Sequence, residues 1–138
     1  MVGQDLHNLI ATRAAYPVTT FTADGDSGNI IDRQGFEALE FAVLAGAVTT
    51  ADGSNYAEFQ IQHGDASDLS DAATVEAAEL IGDEPVINST TLANTVVGRV
   101  GYRGSKRYVR MRVDETGTIN LQAAAIAILS NARNLPTT

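Results

Sequence analysis

The sequence predicts an all-β fold, a β-sandwich or jelly-roll-like single domain over residues 1–138 with one short helix. Three observations predict it. Phe59 and Ile61 alternate with Glu58, Gln60 and Gln62, and Val109, Met111 and Val113 alternate with Tyr108, Arg110 and Arg112. This period of two marks half-buried strands. Turn chemistry recurs at 24–29, 52–55, 101–106 and 114–117, where Gly, Asn and Asp tolerate the left-handed backbone. The best helical stretch, Ala72 to Leu80, is too short to be stable without tertiary support.

Taken in order, residues 1–16 are weakly amphipathic, and Asp5 can cap a short helical turn carrying Leu6, Leu9 and Ile10. Pro17 ends any helix, and the β-branched Val18 to Thr22 reads as extended. Ile30-Ile31-Asp32 restarts an extended chain after the 24–29 turn. Leu39 to Val48 reads as a strand whose Leu39, Phe41, Val43 and Ala45 share one face; a helix is the alternative, which Gly46 and the Val and Thr after it disfavour. Ala42 and Leu44 lie on the other face, so both faces are expected to be covered. Asp52-Gly53-Ser54-Asn55 is a hairpin-type turn, which predicts that the strands before and after it pair with each other. After Gly64 comes an acidic loop with Asp65, Asp68 and Asp71, then the helical stretch, which Gly82 can end. Val96 to Val100 and Arg107 to Val113 read as strands joined by a tight connection at Gly101 to Lys106. Ile119 to Leu129 is apolar on both faces and reads as a central strand, with a helix as the lesser alternative, followed by a tail from Asn131 to Thr138.

Composition excludes several function classes. The chain has no Cys, so disulfides and thiolate metal sites are not available. No apolar run approaches the roughly 20 residues a membrane-spanning helix needs. Residues 1–10 lack a basic segment and a long apolar segment, so a cleaved signal peptide is not expected. A net charge of −8 argues against nucleic acid as a partner. That total hides an asymmetry. Up to Gly98 the only basic residues are Arg13 and Arg33, whereas Arg99, Arg103, Lys106, Arg107, Arg110 and Arg112 follow within a stretch that holds no acid. Charge segregated in this way suits a surface that meets an oppositely charged partner.

Neither His7 nor His63 belongs to a nucleophile–base pattern, and no catalytic residues are assigned. Asp24, Asp26 and Asp32 begin like a calcium loop, but Asn29 stands where the turn Gly belongs and Gly35 where the closing Glu belongs. Asp65, Asp68 and Asp71 suit loop capping better than a metal, so no metal site and no cofactor are expected. Asn88-Ser89-Thr90 matches a glycosylation acceptor without a secretory signal to support it. The glycines from Gly98 to Gly104 are spaced as a hairpin turn and not as a phosphate loop. The basic cluster remains. Arg99, Arg103, Lys106, Arg107 and Arg110 are the candidate partner-binding residues. Alternation from Arg107 would place Arg110 and Arg112 beside Tyr108 on an outward face, with Arg99, Arg103 and Lys106 crowding the turn. Arginine forks suit carboxylates. The competing reading is that they pair with this chain's own acids across the sheet.

From Val100 to Arg110 the chain reads VGYRGSKRYVR. It resembles a group of small proteins of tailed bacteriophages, commonly encoded beside the major capsid protein, that carry a similar VGYxGxKRYVR stretch. The Asp5-Leu6 start, the strand after Ile31-Asp32 and Phe59 to Asp65 with its acidic loop agree in layout. The resemblance implies a capsid decoration, or cement, protein. It would be made in the host cytoplasm and placed on the virion exterior. It would bind the major capsid protein, self-associate as a dimer or trimer, and use its termini as arms. No enzyme activity, cofactor or particular binding residue comes with the resemblance. The alternative is a glycan-binding recognition module, which the absence of Trp weakens.

Overall fold

The computed structural model describes residues 5–23 and 28–134. A four-residue helix, α1 (Leu6–Leu9), opens it, with the Asp5 carboxylate accepting the Asn8 N–H as a cap. Ten strands follow: β1 (Ala11–Phe21), β2 (Ile31–Asp32), β3 (Phe36–Thr50), β4 (Tyr56–Gly64), β5 (Ala73–Thr74), β6 (Leu80–Ile81), β7 (Val86–Ile87), β8 (Val96–Tyr102), β9 (Tyr108–Thr116) and β10 (Asn120–Ala132).

They form two antiparallel sheets. The first runs β1-β10-β3-β8-β6; the second runs β2-β9-β4-β5, with β7 also paired to β4. The pairing is nested: β1 with β10, β2 with β9, β3 with β8, and β4 with β5 and β7. The chain thus doubles back as one long ribbon. The β10–β3 and β9–β4 pairings then roll it into two layers. This is jelly-roll connectivity, as the composition and turn spacing predict.

The layers meet through the residues whose alternation is visible in the sequence. Phe41 and Val43 from β3, Phe59 and Ile61 from β4, Val109, Met111 and Val113 from β9, and Leu121 and Leu129 from β10 share one buried cluster. Phe21 crosses from the first layer to meet Phe59 of the second edge-on, with ring centroids 6.2 Å apart.

Four expectations are corrected. First, β3 and β4 do not pair. Asp52 and Asn55 close a tight turn, but β3 lies in the first sheet and β4 in the second. A flat hairpin would leave the inward faces that carry Phe41 and Phe59 side by side in one sheet, whereas crossing over buries each against the other. Second, the Gly101 to Lys106 connection is not a hairpin turn either, because β8 and β9 also lie in different sheets. Third, Ala72 to Leu80 is not an α-helix. Ala73–Thr74 pairs with β4, the Val75 N–H bonds to the Ile61 carbonyl, and only Ala77–Glu79 makes a 3-10 turn. An exposed edge of β4 needs backbone partners, and that demand outweighs weak helical propensity. Fourth, the outer face of β3 is not covered among the described residues: Leu44 is 51 % exposed, as is Ile126 at 47 % on the neighbouring β10, which lies between β1 and β3 as the central strand expected.

Strand β1 begins earlier than expected. It passes through Pro17, where the register with β10 slips between Tyr16 and Thr19. A proline cannot donate to the ladder, and an edge strand tolerates it there. Asp24 and Asp26 of the calcium-like pattern and the outermost terminal residues lie outside the described residues.

Candidate functional site: a basic cleft at the sheet crossover

The connection from β8 to β9 is built on Tyr102. Its side chain is buried, at 2 % exposure, and its hydroxyl accepts the Lys106 backbone N–H at 3.1 Å. The same hydroxyl stands 2.8 Å from His63 Nδ1, and the two rings meet edge-on. Burial pushes the Tyr102 hydroxyl above its ordinary pKa, so it stays protonated. Residue 104 must be glycine because a Cβ there would overlap the Tyr102 hydroxyl and ring carbons. The loop therefore lies directly on the tyrosine.

Arg33 closes the connection from the other side. Its guanidinium sits 4.8 Å from the Tyr102 ring centroid, and Nη1 donates to the carbonyls of Gly104 (3.0 Å) and Lys106 (2.7 Å). Its buried Nε has no hydrogen-bond partner among the described residues. A cleft of about 640 Å³ opens here, and Arg33, Arg103, Lys106, Arg107 and Arg133 line it with Glu37 as the one lining acid.

Most of this charge is answered within the chain. Arg107 makes a two-pronged contact to Asp32, with Nε and Nη2 each 2.8 Å from a carboxylate oxygen, and Nη2 also reaches Gln34. This hydrogen bond holds the Asp32 carboxyl below its ordinary range and raises Arg107. Lys106 Nζ lies 2.5 Å from Asp65, which raises the lysine, and Arg133 Nε lies 2.9 Å from Glu37. The remaining two cations have no carboxylate partner among the described residues. Arg33 is spent on carbonyls, and Arg103 donates only its Nε, to the Ala78 carbonyl at 2.9 Å. Arg103 is exposed. In a chain of net charge −8, the cleft is a local positive site suited to a carboxylate or a similar oxyanion.

The six clustered basic residues are divided among three places. Arg103, Lys106 and Arg107 converge on the cleft. Arg110 and Arg112 lie beside Tyr108 on the outer face of the second sheet, as alternation predicts, contacting Gln62 and Asp114. Arg99 does not crowd the turn; it lies on the outer face of the first sheet, 3.4 Å from Glu40. Sequence reasoning missed Arg33, Glu37 and Arg133 as parts of the site. One signal pointed to Arg33, which is one of two basic residues in the acidic first two-thirds of the chain.

Apart from the Asp65 contact to Lys106, the acidic loop is held by its own backbone. The Asp71 carboxylate accepts the N–H groups of Asp65 and Ala66, and Asp68 accepts that of Ser70. These bonds lower both carboxyls, while Leu69, at φ 51°, plugs the loop into the interior. Among the described residues no group of three His, Cys, Asp or Glu is placed to hold a metal ion, and no helix is long and apolar enough to cross a membrane. Compared with known proteins, the chain matches no family model and no curated protein.

Proposed function

We propose that this chain is a virion structural protein that decorates a tailed-phage capsid and stabilises its lattice, bridging major capsid subunits by docking an acidic segment in the basic cleft. One observation carries the reading: Tyr102 to Arg107, the middle of the stretch that resembles phage head proteins, form one wall of the cleft, and Arg103 there has no carboxylate partner among the described residues. A rigid jelly roll with its loops braced by Tyr102 and Arg33 suits this work. Many identical weak contacts on a lattice add up by mass action, and a rigid base spares them the entropy of ordering. The fold itself is shared by capsid and lectin domains and decides nothing between them. The glycan-binding alternative finds less support, because both tyrosine rings near the cleft carry an arginine: Arg33 covers Tyr102, and Arg107 lies over Tyr108.

The test is co-sedimentation of the purified protein with expanded capsids of the phage that encodes it. Arg103→Glu should weaken binding at least about tenfold, with a matching loss of salt dependence. Full binding by that variant would remove the cleft from the mechanism. No binding by the wild type would remove the capsid role.

A further inference from the structure

We infer that a second copy of this chain covers the outer face of the first sheet, giving a twofold dimer in which two jelly rolls stack sheet to sheet. The inference is independent of the role proposed for the cleft.

The two sheets have opposite outer faces. That of the second sheet is polar: Glu58, Gln60 and Gln62 on β4 face out beside Arg110 and Arg112 on β9. That of the first carries an apolar patch. Of the seven large hydrophobic residues exposed among the described ones, Leu44 (51 %), Ile126 (47 %), Val96 (69 %) and Val18 (70 %) are gathered around two adjoining hollows of this face. A soluble β-sheet face ordinarily alternates apolar-in with polar-out, and β3 and β10 break that rule here with Ala42, Leu44, Ala124 and Ile126.

Three features favour a second copy as the occupant. The face holds both knobs and sockets. Leu44, Val96 and Ile126 stand around a hollow of about 200 Å³ floored by Ala42 and Ala124, and a second hollow of about 300 Å³ adjoins it beside Val18. A twofold interface needs both shapes on one patch, because the patch must fit itself. The charge also suits self-contact. The outward paired positions of β10, β3 and β8 carry two charges, Glu40 and Arg99, already paired at 3.4 Å. Two copies of a chain with net charge −8 can therefore meet here without the repulsion their acidic surfaces impose elsewhere. Finally, the area is adequate. Four strands about 4.8 Å apart, over roughly ten residues at about 3.4 Å each, give a footprint of roughly 650 Å². That approaches the ~800 Å² per partner of a standard interface.

Sedimentation equilibrium of the free protein tests this, with no capsid present. The wild type should be a dimer. Leu44→Glu and, separately, Val96→Glu should weaken the dimer at least about 100-fold, because each places a charge in a desolvated seam. Both side chains are half or more exposed in the monomer, so the far-ultraviolet circular dichroism of the variants should match the wild type. Gln60→Glu on the other sheet should leave the dimer intact. A wild type that stays monomeric up to about 1 mM would overturn the inference, whether or not the protein binds capsids. A dimer that survives both face variants would overturn it as well, by placing the interface elsewhere.

Discussion

The Tyr102 hydroxyl and His63 Nδ1 stand 2.8 Å apart, and this contact ties the end of β8 in one sheet to β4 in the other. Lys106 donates its backbone N–H to the same oxygen, so one hydroxyl fixes both the spacing of the layers and the loop that walls the cleft. Arg33 lies over the ring and holds the loop carbonyls. The basic cleft is therefore a rigid feature whose shape rests on a buried phenol.

Tyr102→Phe should keep the ring packing and the Arg33 contact but strand the Lys106 N–H. We expect a loss of about 1–3 kcal/mol in urea unfolding, the usual cost of an orphaned buried donor. Stability equal to wild type would mean that the hydroxyl is not a clasp.

Gly104→Ala should destabilise by a similar route from the other side. The added methyl meets the Tyr102 hydroxyl and ring, which cannot retreat because Tyr102 is buried, and overpacking of this kind costs about 1–3 kcal/mol. Thermal unfolding compared with Ser105→Ala, an exposed neighbour, is the appropriate measurement.

Arg103 and Arg107 should behave differently although they are four positions apart. Arg107 joins β9 to β2 through Asp32, so Arg107→Ala should lower the melting temperature by a small amount, about 1–4 °C. The Arg103 side chain bonds the Ala78 carbonyl at the surface, and Arg103→Ala should leave the melting temperature within about 1 °C of wild type. Equal shifts in the two variants would contradict this division between a structural and a free arginine.

The pH dependence of stability has two limbs. Hydrogen bonds hold the Asp32, Asp52, Asp68 and Asp71 carboxyls below their ordinary value of 3.8 in the folded protein. Their contribution is present above pH 3.8 and is lost as pH falls through the lower folded values. Glu84 is opposite. Burial raises it above 4.5, even though its carboxylate accepts the Ile61 N–H at 2.7 Å. The folded state then holds more protons than the unfolded state, so this group makes stability fall as pH rises from 4.5 through the raised value. Glu84→Gln keeps an acceptor for Ile61 and cannot ionise. It should match wild type near pH 4 and be at least as stable at pH 7, as measured by urea unfolding at both values. A variant weaker at pH 7 than at pH 4, relative to wild type, would show that the charged carboxylate is needed at β4.

Much of the fold was legible because alternation is a local property. Phe59–Ile61 and Val109–Val113 face inward as their spacing predicts, and the Asp5 cap and the Asp52–Asn55 turn form where their chemistry sits. The cleft was half legible. Arg103, Lys106 and Arg107 are neighbours in the chain, but Arg33 and Arg133 reach the same place only because β2 pairs with β9 and β10 returns beside β3.

By itself, then, the sequence determined which residues turn inward along each strand, where the chain reverses, and that positive charge is concentrated near Arg107, since each depends on side chains a few positions apart. Tertiary structure alone decided that strands joined by tight turns would separate into opposite sheets, that Ala72 to Leu80 would serve the edge of β4 and not wind into a helix, and that the second apolar face of β3 and β10 would be left open. The physical reason is that burial and backbone pairing are satisfied by whichever segment arrives from elsewhere in the chain, and a local pattern says that a partner is required without saying which one.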